Sequence, residues 1–282
     1  MRTFLAVMAA VVLLAGATAP AATAATHPTT YYLSLGDSLA AGQQPTGDPA
    51  DMYRTNQGYA DRLYQIARLS RPGLELVKLG CPGETTATMM TGRICKYAHG
   101  SQLAEAVAFL EAHGRSVAFV TIDIGWNDFA CQTGLECIPP GVATIGQNLP
   151  TILATLQAAT APGVPIVGAT LYDPFLAFWL AGPAGQALAK VSVTDAIVPI
   201  NTFVRSIYEQ FGMSVADVQG VFLTTRFTPL VPLPGYGKVP LNVATICALT
   251  WICAPPPLGP DNHANSAGYF VMALAFARAL HR

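Results

Sequence analysis

Charged residues are scarce in this sequence. Its 282 residues include 15 Lys and Arg and 16 Asp and Glu, which together make up 11% of the chain. No run of more than two basic residues occurs, so the chain lacks the basic stripe with which proteins usually bind nucleic acids or other polyanions. We therefore expect neither class of partner. The apolar fraction of 52% is high enough to form a substantial core.

Apolar runs long enough to span a membrane are missing beyond the first residues. Residues 5–14 are nearly all apolar, Arg2 precedes them, and residues 22–24 read Ala-Thr-Ala, which is typical of a secretory signal. This pattern predicts a cleaved signal peptide over residues 1–24 and a secreted, extracellular chain over residues 25–282, without stable membrane insertion. An uncleaved anchor is the alternative. Without Arg2 the chain carries 14 Lys and Arg against 16 Asp and Glu, a net charge of about −2.

A complete set of metal ligands is absent. Cys95 and His99 could form half of a zinc site, but no second Cys-x-x-Cys or paired His follows, so we expect no metal and no other cofactor. An even number of cysteines in a secreted chain instead indicates disulfides. Six cysteines allow 15 pairings, and separations of 14, 6 and 6 residues favour neighbours along the chain. The predicted pairs are Cys81–Cys95, Cys131–Cys137 and Cys247–Cys253.

The Gly-x-Ser-x-Gly motif of the commoner α/β-hydrolases is absent too. Short apolar segments predict strands over residues 30–35, 74–79, 117–124, 165–171 and 214–223. Helical spacing predicts helices over residues 59–69, 102–113, 142–159, 194–211 and 265–280. This alternation is typical of a three-layer α/β/α sandwich with a central, mainly parallel five-stranded sheet. No repeat and no linker divides the chain, so we expect one domain, with a long functional loop over the proline-rich residues 225–262.

Polar or small residues follow several predicted strands. Ser38 follows the first strand in Gly-Asp-Ser-Leu, Gly83 the second and Asn127 the third, while His263 precedes the last helix. Catalytic groups of parallel α/β sheets gather at the carboxyl ends of the strands. A serine hydroxyl needs a base to become a nucleophile, and imidazole titrates near neutral pH. These residue types therefore suit a serine hydrolase.

The same residues give the chain a family resemblance. Gly36-Asp37-Ser38-Leu39, Gly80-x-x-Gly83-x-Thr85, Gly125-Trp126-Asn127-Asp128 and Asp261-Asn262-His263 occur in the order of the motif blocks of SGNH hydrolases, also called GDSL esterases and lipases. The chain resembles that family over almost its whole length after residue 24. The resemblance implies a flavodoxin-like sandwich and acyl-enzyme chemistry with Ser38 as nucleophile and His263 as base. It also implies an oxyanion hole formed by the main-chain N–H groups of Ser38 and Gly83 and by the side-chain amide of Asn127.

The acid of the catalytic set departs from the family pattern. The family usually has Asp three residues before His, where this chain has Pro260, and Asp261 lies only two residues before His263. Either the Asp261 carboxylate or a main-chain carbonyl near Pro260 orients the histidine. We expect Asp37, Asp123, Asp128 and Asp173 to brace loops, and His99, His113 and His281 to lie on the surface or in packing roles.

The leading functional hypothesis is a secreted, monomeric serine esterase or lipase that hydrolyses small-molecule or lipid esters. Apolar side chains in residues 173–185 and 227–241 line a cleft for a medium or long acyl chain, or else bury themselves in the core. A carbohydrate acetyl esterase of the same fold is the second hypothesis. A non-catalytic binding protein on a degenerate hydrolase fold is the third, and it would require a broken catalytic set.

Overall fold

The computed structural model describes residues 27–46, 52–129 and 136–281. The strands are β1 (Thr30–Gly36), β2 (Gln43–Pro45), β3 (Met52–Arg54), β4 (Leu74–Lys78), β5 (Val117–Asp123), β6 (Ile166–Ala169), β7 (Ser214–Ala216), β8 (Leu230–Leu233) and β9 (Gly237–Pro240). The α-helices are α1 (Ser38–Ala41), α2 (Tyr59–Arg68), α3 (Thr86–Thr91), α4 (Gln102–His113), α5 (Ile138–Ala159), α6 (Pro183–Val191), α7 (Val198–Gln210), α8 (Val218–Val221), α9 (Leu241–Leu249) and α10 (Ser266–Leu280). Three 3₁₀ segments (Gly114–Ser116, Trp126–Asp128, Pro174–Ala181) and a π-helical turn (Ser192–Ile197) complete the elements.

Five parallel strands form the central sheet, in the order β4-β1-β5-β6-β7. β1 lies between β4 and β5, with Leu33 opposite Val77 on one side and Val120 on the other. Both β1 and β5 are almost entirely buried, as expected for strands covered by helices on both faces. The strand order reverses at β1, which makes the carboxyl end of β1 the switch point where ligands of such sheets usually bind.

Helices cover both faces of the sheet. α2 and α10 pack together on one face, where the rings of Tyr59 and Phe276 stack with centroids 4.5 Å apart. α4, α5 and α7 pack side by side on the other face. The three-layer α/β/α prediction is therefore confirmed. Four of the five helices predicted from periodicity begin and end close to the expected residues.

The strand predicted over residues 214–223 is wrong in its second half. β7 ends at Ala216, and the short helix α8 follows. The Asp217 side chain accepts a hydrogen bond from the main-chain N–H of Gly220 at 3.1 Å and so caps that helix. This local cap outweighs the β preference of the apolar residues that come after it.

The expectation of a long irregular loop over residues 225–262 is also wrong. This segment contains the β8–β9 hairpin and the helix α9. Asn242 is fully buried and donates to the main-chain carbonyl of Thr224 at 2.8 Å, which ties the start of α9 to the segment before the hairpin. Prolines lie in the hairpin strands and beside α9 rather than inside it, so they do not prevent either element.

The helix predicted over residues 194–211 begins earlier than expected. α6, the π-helical turn and α7 run on as one helix from Pro183 to Gln210, which alone among the described elements is long and apolar enough to cross a membrane. Its side chains Ile200, Val204 and Ile207 belong to the buried core of the domain. This burial is typical of the core helix of a globular protein.

Two of the predicted cysteine pairs are present. The structure joins Cys81 to Cys95 and Cys247 to Cys253. Cys131 lies outside the described residues, so its pairing with Cys137 stays a prediction. The predicted signal peptide, residues 1–24, lies outside them as well.

Candidate active site

Ser38 stands at the first turn after β1. Gly36 ends the strand with a φ of 135°, and a Cβ atom there would collide with the main-chain oxygen of Asp123, so only glycine fits. Asp37 then caps the short helix α1, its carboxylate accepting from the main-chain N–H of Leu39 at 2.9 Å. A strand that ends this sharply leaves Ser38 partly exposed at the edge of the sheet.

Gly83 and Asn127 follow the two strands that flank β1. Gly83 has a φ of 80°, is exposed, and has no atom within 4 Å of the position of a Cβ, so the space beside its Cα is open. Asn127 lies in the 3₁₀ turn after β5 and donates from Nδ2 to the main-chain carbonyl of Glu84 at 3.0 Å. The same Nδ2 also lies 3.5 Å from Asp37 Oδ2. Because β4, β1 and β5 are neighbours, the structure brings Gly83, Ser38 and Asn127 to one edge of the sheet.

His263 pairs with Asp261. Asp261 Oδ1 accepts from His263 Nδ1 at 2.9 Å and from the main-chain N–H of His263 at 2.8 Å. Burial alone would raise the pKa of Asp261, but the hydrogen bond and the charge of His263 outweigh it and lower that pKa below its usual range. The carboxylate is therefore ionised at neutral pH and holds the imidazole by its Nδ1 side, which leaves Nε2 available.

Main-chain contacts position the loop that carries His263. The carbonyl of His263 accepts from the N–H of Trp251 at 3.0 Å, and the N–H of Asp261 donates back to the carbonyl of Trp251 at 3.2 Å. Tyr172, just beyond β6, donates from its hydroxyl to the carbonyl of Asn262 at 2.7 Å. The loop is thus attached both to the segment after α9 and to the sheet.

Two buried carboxyl groups lie behind Ser38. Burial raises the pKa of Asp37 to about 6. Burial, followed by the nearby charge of Asp37, raises the pKa of Asp123 well above its usual range. Asp123 accepts a hydrogen bond from the Tyr59 hydroxyl at 2.8 Å. Asp128 accepts a hydrogen bond from Thr86, and Asp173 accepts one from Ser192. All four aspartates therefore bond to other parts of the protein, as expected of residues that brace loops.

Two adjoining cavities open at the site. Ser38 and His263 line the smaller cavity, together with Tyr172. The larger cavity has a volume of about 360 Å³, and Asn127 lies in its wall. Trp126 and Asn262 line both cavities, so the larger one begins beside the nucleophile and the predicted oxyanion hole.

The wall of the larger cavity is mostly apolar. Its aromatic side is formed by Trp126, Phe175 and Phe178. The ring centroids of Trp126 and Phe175 are 6.3 Å apart, and those of Phe175 and Phe178 are 5.7 Å apart. Ile197 and Ile200 close the side that faces the long helix. Of the two apolar segments predicted to line a cleft, residues 173–185 do so, whereas the hairpin within residues 227–241 exposes Leu230 and Tyr236 to solvent.

Several residues of the site were not predicted. Ile197 and Ile200 read as ordinary helix core positions, and Ile252 follows a helix that was itself missed. Trp126 lies inside the Gly-Trp-Asn-Asp motif, so its position next to Asn127 was the signal available for it. The two residues of the zinc alternative have other partners: Cys95 is bonded to Cys81, and His99 Nδ1 lies 2.9 Å from Glu105 Oε2.

Comparisons with known proteins agree with this arrangement. The model of the GDSL-like lipase/acylhydrolase family matches residues 34–269. Among solved structures, an acetylxylan esterase from Geobacillus stearothermophilus is 16% identical, with a TM-score of 0.55, covering 91% of this chain and 96% of that one. The extracellular lipase from Streptomyces rimosus is 19% identical, with a TM-score of 0.55, covering 89% and 100%. None of the curated proteins compared with the chain matches it.

The structural matches establish the fold, since their sequence identities are low. The family match is stronger, because it spans most of the chain and includes the segments that carry Ser38, Gly83, Asn127 and His263. On that match, the chain belongs to the GDSL-like lipase/acylhydrolase family, a family of ester hydrolases.

Proposed function

We propose that the protein is a serine esterase or lipase that hydrolyses carboxylic esters through an acyl-enzyme on Ser38. The observation that carries the proposal is that Ser38 and His263 line one cavity while Asp261 holds the far side of the imidazole at 2.9 Å. A shared cavity for Ser38 and His263, with an acid bonded to the imidazole, supports a nucleophile, a base and an orienting acid in these roles.

The proposed reaction starts with a proton transfer from Ser38 to His263. His263 Nε2 takes the proton of Ser38 Oγ as the oxygen attacks the ester carbonyl, and the imidazolium that forms is stabilised by Asp261. The carbonyl oxygen gains negative charge and is held by the N–H groups of Ser38 and Gly83 and by Asn127 Nδ2. His263 then protonates the departing alkoxide. In the second half, His263 activates water, which attacks the acyl-enzyme and releases the acid.

The larger cavity supports an aliphatic acyl group longer than acetyl. At about 360 Å³ it falls within the range of small-molecule sites, roughly 300–1,000 Å³. An acetyl group would leave most of the aromatic and aliphatic wall of this cavity without contact. A medium-length chain would instead bury itself against Phe175, Phe178 and Ile200, at a gain of about 0.8 kcal/mol for each buried methylene.

A carbohydrate acetyl esterase is the second candidate, and the structural match to an acetylxylan esterase favours it. The two candidates differ in the cavity that they use. An acetyl esterase needs an open polar surface for the sugar and little room for the acyl group, whereas the cavity beside Asn127 has a mostly apolar wall and a volume of about 360 Å³. We therefore place the aliphatic ester first.

A panel of p-nitrophenyl esters from acetate to palmitate, run beside acetylated xylan, tests the proposal. We expect a maximum of kcat/KM at medium chain length and labelling of Ser38 by an organophosphonate. Ser38→Ala is the control and should abolish both. Faster release of acetate from xylan than of octanoate from its ester would favour the second candidate, and full activity in Ser38→Ala would contradict the mechanism. A folded wild-type protein that cleaves none of these esters would favour a binding protein instead.

The site of action proposed is extracellular, with a cleaved leader over residues 1–24 and one monomeric domain over residues 25–282. The disulfides Cys81–Cys95 and Cys247–Cys253 support this proposal, because such bonds persist in oxidising compartments. N-terminal sequencing of protein from the culture medium should give Ala25 as the first residue. Light scattering should give the mass of a single chain, and retention of the protein in the membrane fraction would contradict the proposal.

A further inference from the structure

Gln102 is a fully buried amide at the start of α4 that contacts the end of β1. Its Oε1 accepts from the main-chain N–H of Gly36 at 2.7 Å, and its Nε2 donates to the main-chain carbonyl of Gly36 at 2.9 Å. The same Nε2 also lies 3.1 Å from Glu84 Oε2 and 3.1 Å from the Tyr97 hydroxyl. One side chain therefore holds both main-chain polar groups of Gly36 and also touches the loop after β4.

The residues that Gln102 contacts flank the predicted oxyanion donors. Gly36 lies two residues before Ser38, and Glu84 directly follows Gly83. Glu84 also reaches the third donor, because its main-chain carbonyl accepts from Asn127 Nδ2 at 3.0 Å. Gln102 thus connects the segments that present all three donors, although it touches none of the donors itself.

An amide suits this position better than the residues closest to it in size. The main chain of Gly36 offers one donor and one acceptor, and Glu84 offers a further acceptor. A glutamine side chain supplies a matching acceptor and two donor hydrogens on one planar group. A glutamate would lack the donors, and a methionine would leave the buried N–H of Gly36 without a partner.

We propose that Gln102 is a positioning residue for the oxyanion hole. The main-chain N–H of Cys81 also donates to the carbonyl of Gly36, at 3.0 Å. By fixing Gly36 against Glu84, Gln102 adds to this bond and helps to set the spacing between the N–H of Ser38 and the N–H of Gly83 before substrate arrives. Donors held in advance stabilise the oxyanion most, because they need not reorganise when its charge develops. This inference rests on the function proposed above.

The first test replaces Gln102 by a residue of similar volume that cannot make these bonds. We expect Gln102→Met to lower kcat by about 10- to 100-fold and to change KM less than about twofold, because the oxyanion contacts exist only in the transition state. The inhibition constant of a trifluoromethyl ketone, which forms a tetrahedral adduct with the serine, should rise by the same factor as kcat/KM falls. A kcat within threefold of wild type would overturn the proposal.

Asn201 provides a matched control. This buried amide on α7 makes the same kind of clamp, accepting from the N–H of Leu171 at 2.7 Å and donating to its carbonyl at 2.8 Å. It contacts neither Gly36 nor Glu84. Asn201→Leu should therefore lower the melting temperature about as much as Gln102→Met and leave kcat within about threefold. An equal loss of kcat in both variants would mean that general loosening is the cause, and the proposal would fail.

A second variant covers the case in which Gln102→Met does not fold. Glu84→Met breaks the contact from its other side and leaves the clamp on Gly36 in place. We expect a smaller fall in kcat, again with KM nearly unchanged, and an unchanged kcat would count against the proposal. Wild type and Ser38→Ala are assayed in parallel with the same p-nitrophenyl ester. A wild-type protein without esterase activity would overturn the proposed function, whereas an active wild type with active Gln102 and Glu84 variants would overturn this inference alone.

Discussion

Asp261 makes both of its side-chain hydrogen bonds with His263. One reaches the main-chain N–H and the other the ring Nδ1, at 2.8 and 2.9 Å. The spacing that departs from the family pattern by one residue therefore still brings a carboxylate to the imidazole. The tight turn is possible because the main chain of Asp261 and of His263 is anchored to Trp251. Of the two alternatives that the sequence left open, this geometry favours the carboxylate.

The role of Asp261 can be measured directly. An amide at this position can no longer stabilise the imidazolium and can hold the ring in the wrong tautomer. In the serine-protease case this change costs about 10⁴ in kcat, and we expect Asp261→Asn to cost at least several hundredfold, with KM nearly unchanged. Circular dichroism should show that the variant is folded. A loss below about tenfold would indicate that a main-chain carbonyl orients His263.

Asn127 Nδ2 donates to the main-chain carbonyl of Glu84 at 3.0 Å and lies 3.5 Å from Asp37 Oδ2. The longer of these two contacts is the one that an oxyanion would replace. Removing one such donor typically lowers kcat by about 10²–10³. We expect that range for Asn127→Ala, with little change in KM, in steady-state assays on a p-nitrophenyl ester. Asn148→Ala serves as the comparison, because it removes another side-chain amide near the site, one that donates to Thr86. If both variants keep a normal kcat, Asn127 only caps its turn.

At the scale of elements, the position of the His263 loop depends on the helix α9 and on the disulfide at the carboxyl end of that helix. Cys247 lies in the last turn of α9 and is bonded to Cys253, on either side of Thr250 and Trp251. Thr250 forms a β-bridge with Ala264, and Trp251 bonds with His263 through the main chain. The short disulfide loop therefore restrains the segment, Thr250 and Trp251, to which the His263 loop is bonded.

Opening this disulfide should affect both stability and rate. For a loop of this length the chain-entropy estimate is about 2 kcal/mol of unfolding free energy, which urea unfolding of the Cys247→Ala/Cys253→Ala double variant can measure. We also expect kcat to fall several-fold, because small displacements of a catalytic group are costly. Unchanged kcat with the expected loss of stability would show that the main-chain contacts hold His263 without the disulfide.

At the scale of the whole molecule, several Asp and Glu side chains are buried, although the chain has few charged residues. Burial raises the pKa of both Asp37 and Asp173 to about 6, and it also raises the pKa of Glu84, Asp123 and Asp128. Each of these groups binds its proton more tightly in the folded than in the unfolded chain. Their contribution to stability is therefore complete below a pH of about 4 and is lost as the pH rises through about 6.

We accordingly expect the free energy of unfolding to fall between pH 4.5 and pH 7. Asp173→Asn should reduce this fall by about 2 kcal/mol, which is the part of the effect of the raised Asp173 pKa that develops between pH 4.5 and pH 7. The asparagine can still cap the turn at Phe175, as Asp173 does at 2.9 Å. Urea titrations at four pH values measure both slopes. A stability that rises across this range in wild type would contradict the expectation.

The sequence by itself determined the class of fold and the segments that carry the chemistry. Apolar periodicity reports which face of a segment is buried, so alternating strands and helices were recognisable without tertiary information. Local features were equally readable: the turn at Gly36, the near neighbours Asp261 and His263, and cysteine pairs closed over 14 and 6 residues. In each of these cases the interacting groups are close in the chain, so their spacing in the sequence is enough to predict the contact.

Only the tertiary structure decided which distant segments meet. The strand order brings Gly83, Ser38 and Asn127 together, Gln102 reaches Gly36 over 66 positions of the chain, and the long helix contributes Ile197 and Ile200 to the cavity. Periodicity marks these side chains as buried but does not name the groups against which they are buried. The helix α9 was missed for the same reason, since the buried amide of Asn242 bonds to the carbonyl of Thr224, 18 positions earlier in the chain. The helix α8 was missed for a local reason, because the capping bond between Asp217 and Gly220 outweighs the β preference of the apolar residues there.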